Sequence, residues 1–467
     1  MTIGVVVLAA GQGTRMRSDL PKVLHPLAGR PLIGWVLDAV SAAAASHTVV
    51  VVGNGADTVR EHLPSDLGIA VQHERRGTGD AALVGIDALD PACDTVLIAC
   101  GDTPLLDGGL IRCLVDEHRA SGATTTMLSA RVDDAGSYGR IVRGPDGSVE
   151  RIVEARDASP EELAIGEFNA GLYVCDRAAL RAALGELGTD NAQGELYLTD
   201  AVVRTGGPLA ALVADDPDVA AGVNDRADLA ACETVIQARL RRDLLLAGVT
   251  MPDPGAVYVD AGVTVGRDTT LWPGTHLRGA TTVGEGSIIG PDVVATDSAI
   301  GDGCTVLSAH LVSAHVGDGC QVGPFAYLRP GARLERGAKA GTYVELKNAV
   351  LGEGAKVPHL SYVGDATIGE GTNIGAGNIT ANYDGFRKHR TEIGARVRTG
   401  SDCVLVAPVR IGDDAMTGAG SIITHDVPDG ALGIARARQN VIEGFTAKAA
   451  ARARAAQEAD GRKGASS

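Results

Sequence analysis

The sequence predicts two architectures in one chain: an α/β half built on an open, mainly parallel sheet, and a solenoid of short parallel strands. Three observations carry this. Before residue 224, continuous apolar runs alternate with amphipathic stretches, the pattern of strands covered on both faces by helices. From residue 265 onward, aliphatic residues recur every six positions, a period that no α-helix has. Between the two, Leu229, Cys232, Ile236 and Leu240 share one helical face, with Arg239, Arg241, Arg242 and Asp243 crowding the other.

Composition bounds the answer. At 467 residues the chain is too long for one core, and two or three domains are expected. Hydrophobic residues make up 45%, enough for each to bury a core, while 62 Gly and an aromatic share of 3% suit stacked coils of small residues. The net charge of -16 argues against a nucleic-acid surface, which must neutralise phosphates. Small anionic substrates respond to local charge and stay open. Eight Cys include no C-x-x-C pair, so neither a zinc site nor a disulfide framework is signalled. With no basic-then-apolar leader and no apolar run near about eighteen residues, no membrane insertion is expected, and the plain setting is the reducing cytoplasm.

In the first half, Ile3–Ala9, residues 48–52 and Thr95–Cys100 read as buried strands, and 31–45, 78–89 and 109–120 as the helices between them. Ligands of such sheets bind beyond the C-terminal strand ends. There the first strand runs into Gly11-Gln-Gly13-Thr-Arg15-Met16-Arg17, then Pro21-Lys22. Two glycines let backbone amides approach a ligand, and four basic residues within 15–30 suit a polyphosphate. A tight turn with solvated charges would explain the glycines alone, not the cations. It is neither a dinucleotide fingerprint, since Met16 stands where a third Gly is needed, nor a P-loop.

The connecting helix is expected to stop at Gly248, ahead of Pro252 and Pro254. The boundaries are drawn at 1–225, 226–250, 251–436 and 437–467, the last a short helix and a frayed, flexible tail. The hexads run through Val265, Leu271, Leu277, Val283 and Ile289, then Val316, Val322, Leu328, Leu334, Ala340 and Leu346. They continue through Leu351, Val357 and Val363, and again through Thr399, Leu405, Ile411, Thr417 and Ile423. Three faces of six make coils of eighteen, roughly ten of them at a rise of ~4.8 Å each. Between Ile374 and Ile393 the count stops, and 379–391 reads as an extra polar loop. A spacer or trimerisation prism needs no such insertion, whereas functional loops leave a scaffold this way. Arg387, Lys388, Arg390, Arg396, Arg398 and Arg410 make that end locally cationic, which would attract a phosphate-bearing coenzyme, although a solvated face explains the cations equally.

The stretch Leu8-Ala9-Ala10-Gly11-Gln-Gly13-Thr-Arg15-Met16 with Pro21-Lys22 resembles the signature of sugar-1-phosphate nucleotidylyltransferases. The resemblance implies that Leu8, Ala9, Ala10 and Gly11 hold the nucleoside of UTP, with Arg15 and Lys22 on its phosphates. It implies that Gln72, Gly77 and Thr78 read uracil; Thr78 would also serve as a helix cap. Asp102 at a strand end and Asn224 in Gly222-Val-Asn-Asp match its Mg²⁺ ligands, and two hard oxygens suffice for an ion that keeps waters and phosphates. Asn224 could instead cap the next helix. Gly139, Glu154 and Asn169 match sugar-binding positions, and the usual Tyr before Gly-Asp is Cys100 here. The motif Asn191-Ala-Gln-Gly-Glu195-Leu-Tyr197 belongs to the same pattern without an assigned chemistry.

The second half resembles left-handed hexapeptide-repeat acyltransferases, and that resemblance, not the pattern, implies the hand. Arg329, Lys347, Tyr362 and Asn373 match positions that hold glucosamine 1-phosphate, His359 the general base, and Glu345 its orienting carboxylate. An imidazole titrates in the range needed to deprotonate an attacking amine, although a lone His is more often structural. Ala376, Asn382, Tyr383, Ser401, Ala419 and Arg436 match contacts to acetyl-coenzyme A. Together the two sets resemble the bifunctional N-acetylglucosamine-1-phosphate uridylyltransferase/glucosamine-1-phosphate N-acetyltransferase family, which implies a homotrimer acting on UTP, acetyl-coenzyme A, glucosamine 1-phosphate and N-acetylglucosamine 1-phosphate. The alternatives are a nucleotidylyltransferase with a purely structural β-helix, and an assembly subunit without turnover.

Overall fold

The computed structural model describes residues 1–53 and 55–464, and it separates into two compact units, Met1–Ser298 and Ala299–Ser467. In the first, seven strands form an open sheet in the order Leu209–Val213, Thr125–Arg131, Glu167–Asp176, Thr95–Cys100, Ile3–Ala9, His47–Val52 and Gly68–Val71. Every pairing is parallel except those of Glu167–Asp176, which runs antiparallel to both neighbours. Apolar clusters on both faces bury alternate residues of Ile3–Ala9: Val5 and Val7 on one, Val6 on the other. This is why that strand reads as an unbroken apolar run. A hairpin of Arg140–Arg143 and Val149–Val153 pairs onto Phe168 at the edge.

The connecting helix spans Arg226–Leu246, and Gly248 follows at a φ of 94°. Cys232 and Ile236 are buried against Met16, Leu27, Leu32 and Leu105, with Leu229 and Leu240 packed alongside, so the expected stripe is the buried one. Its N-cap is Asp225, whose carboxylate accepts from Ala227 and Asp228 amides. Asn224 is therefore not the cap, which leaves its side chain for other work. Likewise Gly77, not Thr78, precedes helix Thr78–Ala88; the Thr78 hydroxyl accepts from the Leu198 amide instead.

The hexads build a three-sided parallel β-helix, in keeping with the left-handed form the resemblance implies. Its first coils, from Val257–Val259 on, lie in the first unit. In the second unit, ladders such as Leu328–Leu346–Val363 bring one aliphatic residue per face over the next. All the hexad residues named above are buried except Val265, which is half-buried near the start of the prism. The insertion is narrower than the sequence suggested. Ile379–Ala381 and Thr391–Ile393 are strands of the prism, so only residues 382–390 leave it. Around this turn Thr367 pairs with Glu392, a spacing of 25 residues, where its other neighbour Val350 lies 17 away.

The chain continues into a helix at Phe445–Gly464; residues 465–467 of the expected tail lie outside the described residues. Among the described residues no helix is long and apolar enough to cross a membrane.

Candidate functional site

The loop after strand Ile3–Ala9 is shaped by a 3-10 turn at Thr14–Met16. Gly13 sits at a φ of 61°, and a Cβ there would lie 2.6 Å from that of Lys22, so the glycine lets the loop close onto the lysine. Nothing lies within 4 Å of a Cβ placed on Gly11, which faces open space. Leu8, Ala9, Ala10, Gly11, Lys22, Gln72, Gly77, Thr78 and Asp102 all line one cavity of about 400 Å³. Lys22 forms an ion pair with Asp102. The Gln72 amide nitrogen donates to the Gly77 carbonyl (3.1 Å) and the Asp80 carboxylate (2.9 Å). Both of its N–H groups are thereby used, and the amide orientation is set by two acceptors. Only the Gln72 carbonyl oxygen is left for a ligand, one that carries an N–H.

A second cavity of about 220 Å³ adjoins the first, with Cys100 and Asp102 in both linings. It gathers Gly139, Glu154, Asn169 and Asn224. Asn224 is brought to Asp102 by the Val223 amide, which donates to the Asp102 carbonyl at 2.8 Å, and the Asn224 Oδ1 accepts from Arg15 at 3.0 Å. Arg15 itself lines a third, more open cavity with Arg17 and Arg226. Burial pushes the Glu154 carboxyl up, against the hydrogen bond it accepts from Thr199 at 2.9 Å. Asn169 donates to Tyr173 at 2.6 Å, inside an irregular stretch of strand Glu167–Asp176 that shifts register by two residues. Burial pushes the Cys100 thiol up to about 12, so it is a neutral, apolar wall between the cavities.

The motif 191–197, to which sequence gave no chemistry, turns out to brace this site. The Leu196 carbonyl accepts from Gly79 at 2.8 Å, and its amide donates to the Arg76 carbonyl at 2.6 Å, on either side of Gly77. Glu195 lines the larger cavity.

In the second unit most of the predicted residues fall on two edges of the prism. On one, successive rungs are joined by backbone bonds from Gly377 to the His359 carbonyl, Asp402 to Ala376 and Gly420 to Ser401. His359, Ala376, Ser401 and Ala419 therefore follow one another up that edge. On the other edge stand Arg329, Lys347 and Asn382. Glu345 and Tyr362 are register partners on the face between the two edges, and Asn373 lies on the adjoining face, paired with Lys356 and Arg398. Arg436 is exposed after the final strand, Leu432–Gly433. The structure does not join Glu345 to His359. Glu345 bonds the Arg329 guanidinium at 2.9 Å, and His359 is exposed with no side-chain partner among the described residues.

Two residues of this site escaped the sequence reading. Asp365, 8% exposed, accepts from Asn382 (2.5 Å), Asn348 (2.7 Å) and Lys347 (3.2 Å). Burial raises its carboxyl, and those three partners together hold it below the usual range. Lys388, read only as part of a cationic patch, lies beside Lys347, whose ammonium depresses its own. Within the 382–390 loop, Asp384 gathers the Phe386 and Arg387 amides and His389, which hold its carboxyl down at about 2.

A family model for the MobA-like NTP transferase domain matches residues 5–204. The chain is 51% identical over 452 residues to the bifunctional protein GlmU of Clavibacter sepedonicus, covering 95% of this chain and 92% of that one. It is 49% identical over 456 residues to the protein of that name from Mycolicibacterium vanbaalenii, covering 95% and 92%, and 48% over 472 residues to that of Streptomyces coelicolor, covering 98% of both. A solved UDP-glucose pyrophosphorylase with UDP-glucose aligns over 51% of this chain at 15% identity and a TM-score of 0.44, too distant to carry an argument. Similarity of this extent, end to end and at about half of all positions, places the chain in the GlmU family of bifunctional proteins.

Proposed function

We propose that the chain makes UDP-N-acetylglucosamine in two steps, acetylating glucosamine 1-phosphate from acetyl-coenzyme A and then transferring a uridylyl group from UTP. The observation that carries the uridylyl step is the pair of cavities meeting at Cys100 and Asp102: one lined by the expected nucleoside residues, the other by the polar groups a hexosamine would need. Functionally we divide the chain at 1–225, 226–250, 251–436 and 437–467.

In the uridylyl step, a phosphate oxygen of N-acetylglucosamine 1-phosphate attacks the α-phosphorus of UTP in line and pyrophosphate departs. The Gln72 carbonyl oxygen accepts the imide N–H of uracil, which a cytosine ring lacks. Leu8 to Gly11 lie against the nucleoside, Gly77 and Thr78 flank the base, and Gly139, Glu154 and Asn169 hold the sugar. Lys22 and Arg15 stabilise the charge on the phosphates. Asp102 and Asn224 fit Mg²⁺: a carboxylate and an amide oxygen, both hard, face one cavity beside the expected phosphates. When bound, the ion would offset phosphate charge.

In the acetyl step, the 2-amino group attacks the thioester carbonyl, His359 takes the amine's proton, and the coenzyme leaves as its thiol. Arg329, Lys347, Tyr362 and Asn373 hold the sugar phosphate, joined by Lys388. Glu345 acts first on Arg329, its observed partner. Ala376, Asn382, Tyr383, Ser401, Ala419 and Arg436 carry the coenzyme. We place the protein in the cytoplasm, where its eight free thiols suit the redox poise. We also propose a homotrimer through the prism, whose exposed Phe325, Tyr343 and Leu360 stand on successive rungs where a second copy would cover them.

The test follows free thiol from glucosamine 1-phosphate with acetyl-coenzyme A and, in a separate reaction, pyrophosphate from N-acetylglucosamine 1-phosphate with UTP and Mg²⁺. His359→Ala should lose thiol release alone, and Asp102→Ala pyrophosphate release alone. Pyrophosphate from N-acetylglucosamine 1-phosphate without any thiol release by the unaltered protein would leave a nucleotidylyltransferase on a structural β-helix. Neither signal would leave the assembly subunit.

A further inference from the structure

We infer that Asp365 is a positioning residue that ties the sugar-phosphate subsite and the coenzyme loop into one mechanical unit. This rests on the acetyl-transfer reading above. Three independent bonds put Asp365 between the two. Its side chain accepts from Lys347, on the sugar-phosphate edge, at 3.2 Å, and from Asn382, the first residue of the 382–390 loop, at 2.5 Å. Its backbone carbonyl accepts from Thr391, where the loop rejoins the prism, at 3.1 Å. Asp365 thus holds both stems of the loop. Its own amide donates to the Lys347 carbonyl at 2.9 Å, so the lysine is gripped by main chain and side chain together.

The coil geometry puts this residue between its partners. Lys347, Asp365 and Asn382 stand on consecutive rungs of one edge, and Asp365 takes a φ of 48°, which turns the chain at the corner. A buried carboxylate with three donors is held in one orientation, since rotating it would strand at least one of them. A phosphate that fixes Lys347 in place therefore also steadies the carboxylate that orients Asn382. Coenzyme bound on the loop, conversely, fixes Lys347 before the sugar phosphate arrives. The two substrates should bind with positive coupling, reciprocal by linkage.

The experiment uses the full chain and three measurements: dissociation constants of glucosamine 1-phosphate with and without saturating coenzyme A, steady-state KM for both substrates, and pyrophosphate release as a control for folding. The unaltered protein should bind the sugar phosphate at least fivefold tighter with coenzyme present. In Asp365→Asn that coupling should fall to near onefold, with KM for both substrates raised about tenfold and pyrophosphate release unchanged. Should that variant misfold, Asn382→Ala cuts only the loop side; it should still raise the KM for glucosamine 1-phosphate. The inference is overturned if Asn382→Ala raises the KM for acetyl-coenzyme A alone, or if coupling survives in Asp365→Asn. Absence of thiol release from the unaltered chain would sink the acetyl-transfer reading itself, a result separate from these.

Discussion

Gly77→Ala should weaken UTP binding without touching the acetyl-transfer half. Gly77 has a φ of 118° and ψ of -178°, a region that is essentially glycine's alone and costs other residues about 1 to 3 kcal/mol. A Cβ there would also stand 2.5 Å from the Leu196 carbonyl oxygen and 2.8 Å from its nitrogen. That backbone is pinned by its bonds to Gly79 and Arg76, so residues 76–79 must yield instead. Their movement carries off the Gly77 carbonyl, one of the two acceptors that orient Gln72. Nucleotide binding then has to restore the strained geometry. At about 1.4 kcal/mol per tenfold, 1 to 3 kcal/mol raises KM for UTP about 5- to 150-fold. The turnover number should hold, because Lys22 and Asp102 lie outside the displaced segment. The assay is pyrophosphate release against UTP concentration, with thiol release as the internal control. A folded variant whose KM stays within about twofold would refute the account of Gly77 as the brace of Gln72.

Two further outcomes follow from packing and titration. Leu346→Ala removes a fully buried rung between Leu328 and Val363, in a prism whose backbone ladders resist collapse, and should cost about 3 to 4 kcal/mol of stability, read from urea unfolding followed by a signal from the second unit. His118 is buried against the Thr126 hydroxyl at 3.0 Å, and burial lowers its imidazole below the ordinary value of 6.5. A lowered value means the unfolded chain takes up the proton first, so this contribution is whole above pH 6.5 and is lost as pH falls through the folded value. His118→Gln should accordingly lose less of its melting temperature between pH 7 and pH 5 than the unaltered protein; an equal loss would refute it. His25, lowered by burial and then by Arg226, keeps its share of the same trend in both proteins.

Period and hydrophobicity made the fold legible, because both report on burial, which is local in sequence. The run Ile3–Ala9 and the hexads at Leu271 or Leu346 could hardly be anything else. The ends of elements were less legible, since each is decided at a single residue: Asp225 rather than Asn224, Gly77 rather than Thr78. The outer bounds of the insertion were misread because Ile379 and Thr391 still pair in the prism although the spacing between their rungs has changed. Cavity linings in the first unit gathered residues from nine separate stretches between Leu8 and Asn224, and only a family pattern could have named them together. Asp365 stayed hidden because its partners lie 17 and 18 positions away, and its own type signals nothing. The redirection of Glu345 to Arg329 is likewise a matter of side-chain reach, which no spacing encodes.

One part of the edge that carries His359 was nevertheless written in the hexads. His359, Ala376, Ser401 and Ala419 each stand two positions after an inward residue, namely Val357, Ile374, Thr399 and Thr417, all buried. Asp365 and Asn382 stand two positions after Val363 and Thr380 on the next edge, and both of those are buried as well. The reason is geometric. A strand of two or three residues ends just past its inward side chain, and the following residue turns the corner. Its side chain points away from the core, and the coils above and below place their own corner residues beside it. An inward aliphatic residue thus specifies the fold, and the residue two beyond it is free to specify chemistry without disturbing the core. His359, Ala376, Ser401, Ala419, Asp365 and Asn382 thus stand along the edges of the prism, and the 382–390 loop departs from one such edge, immediately after the buried Thr380 and the half-buried Ala381.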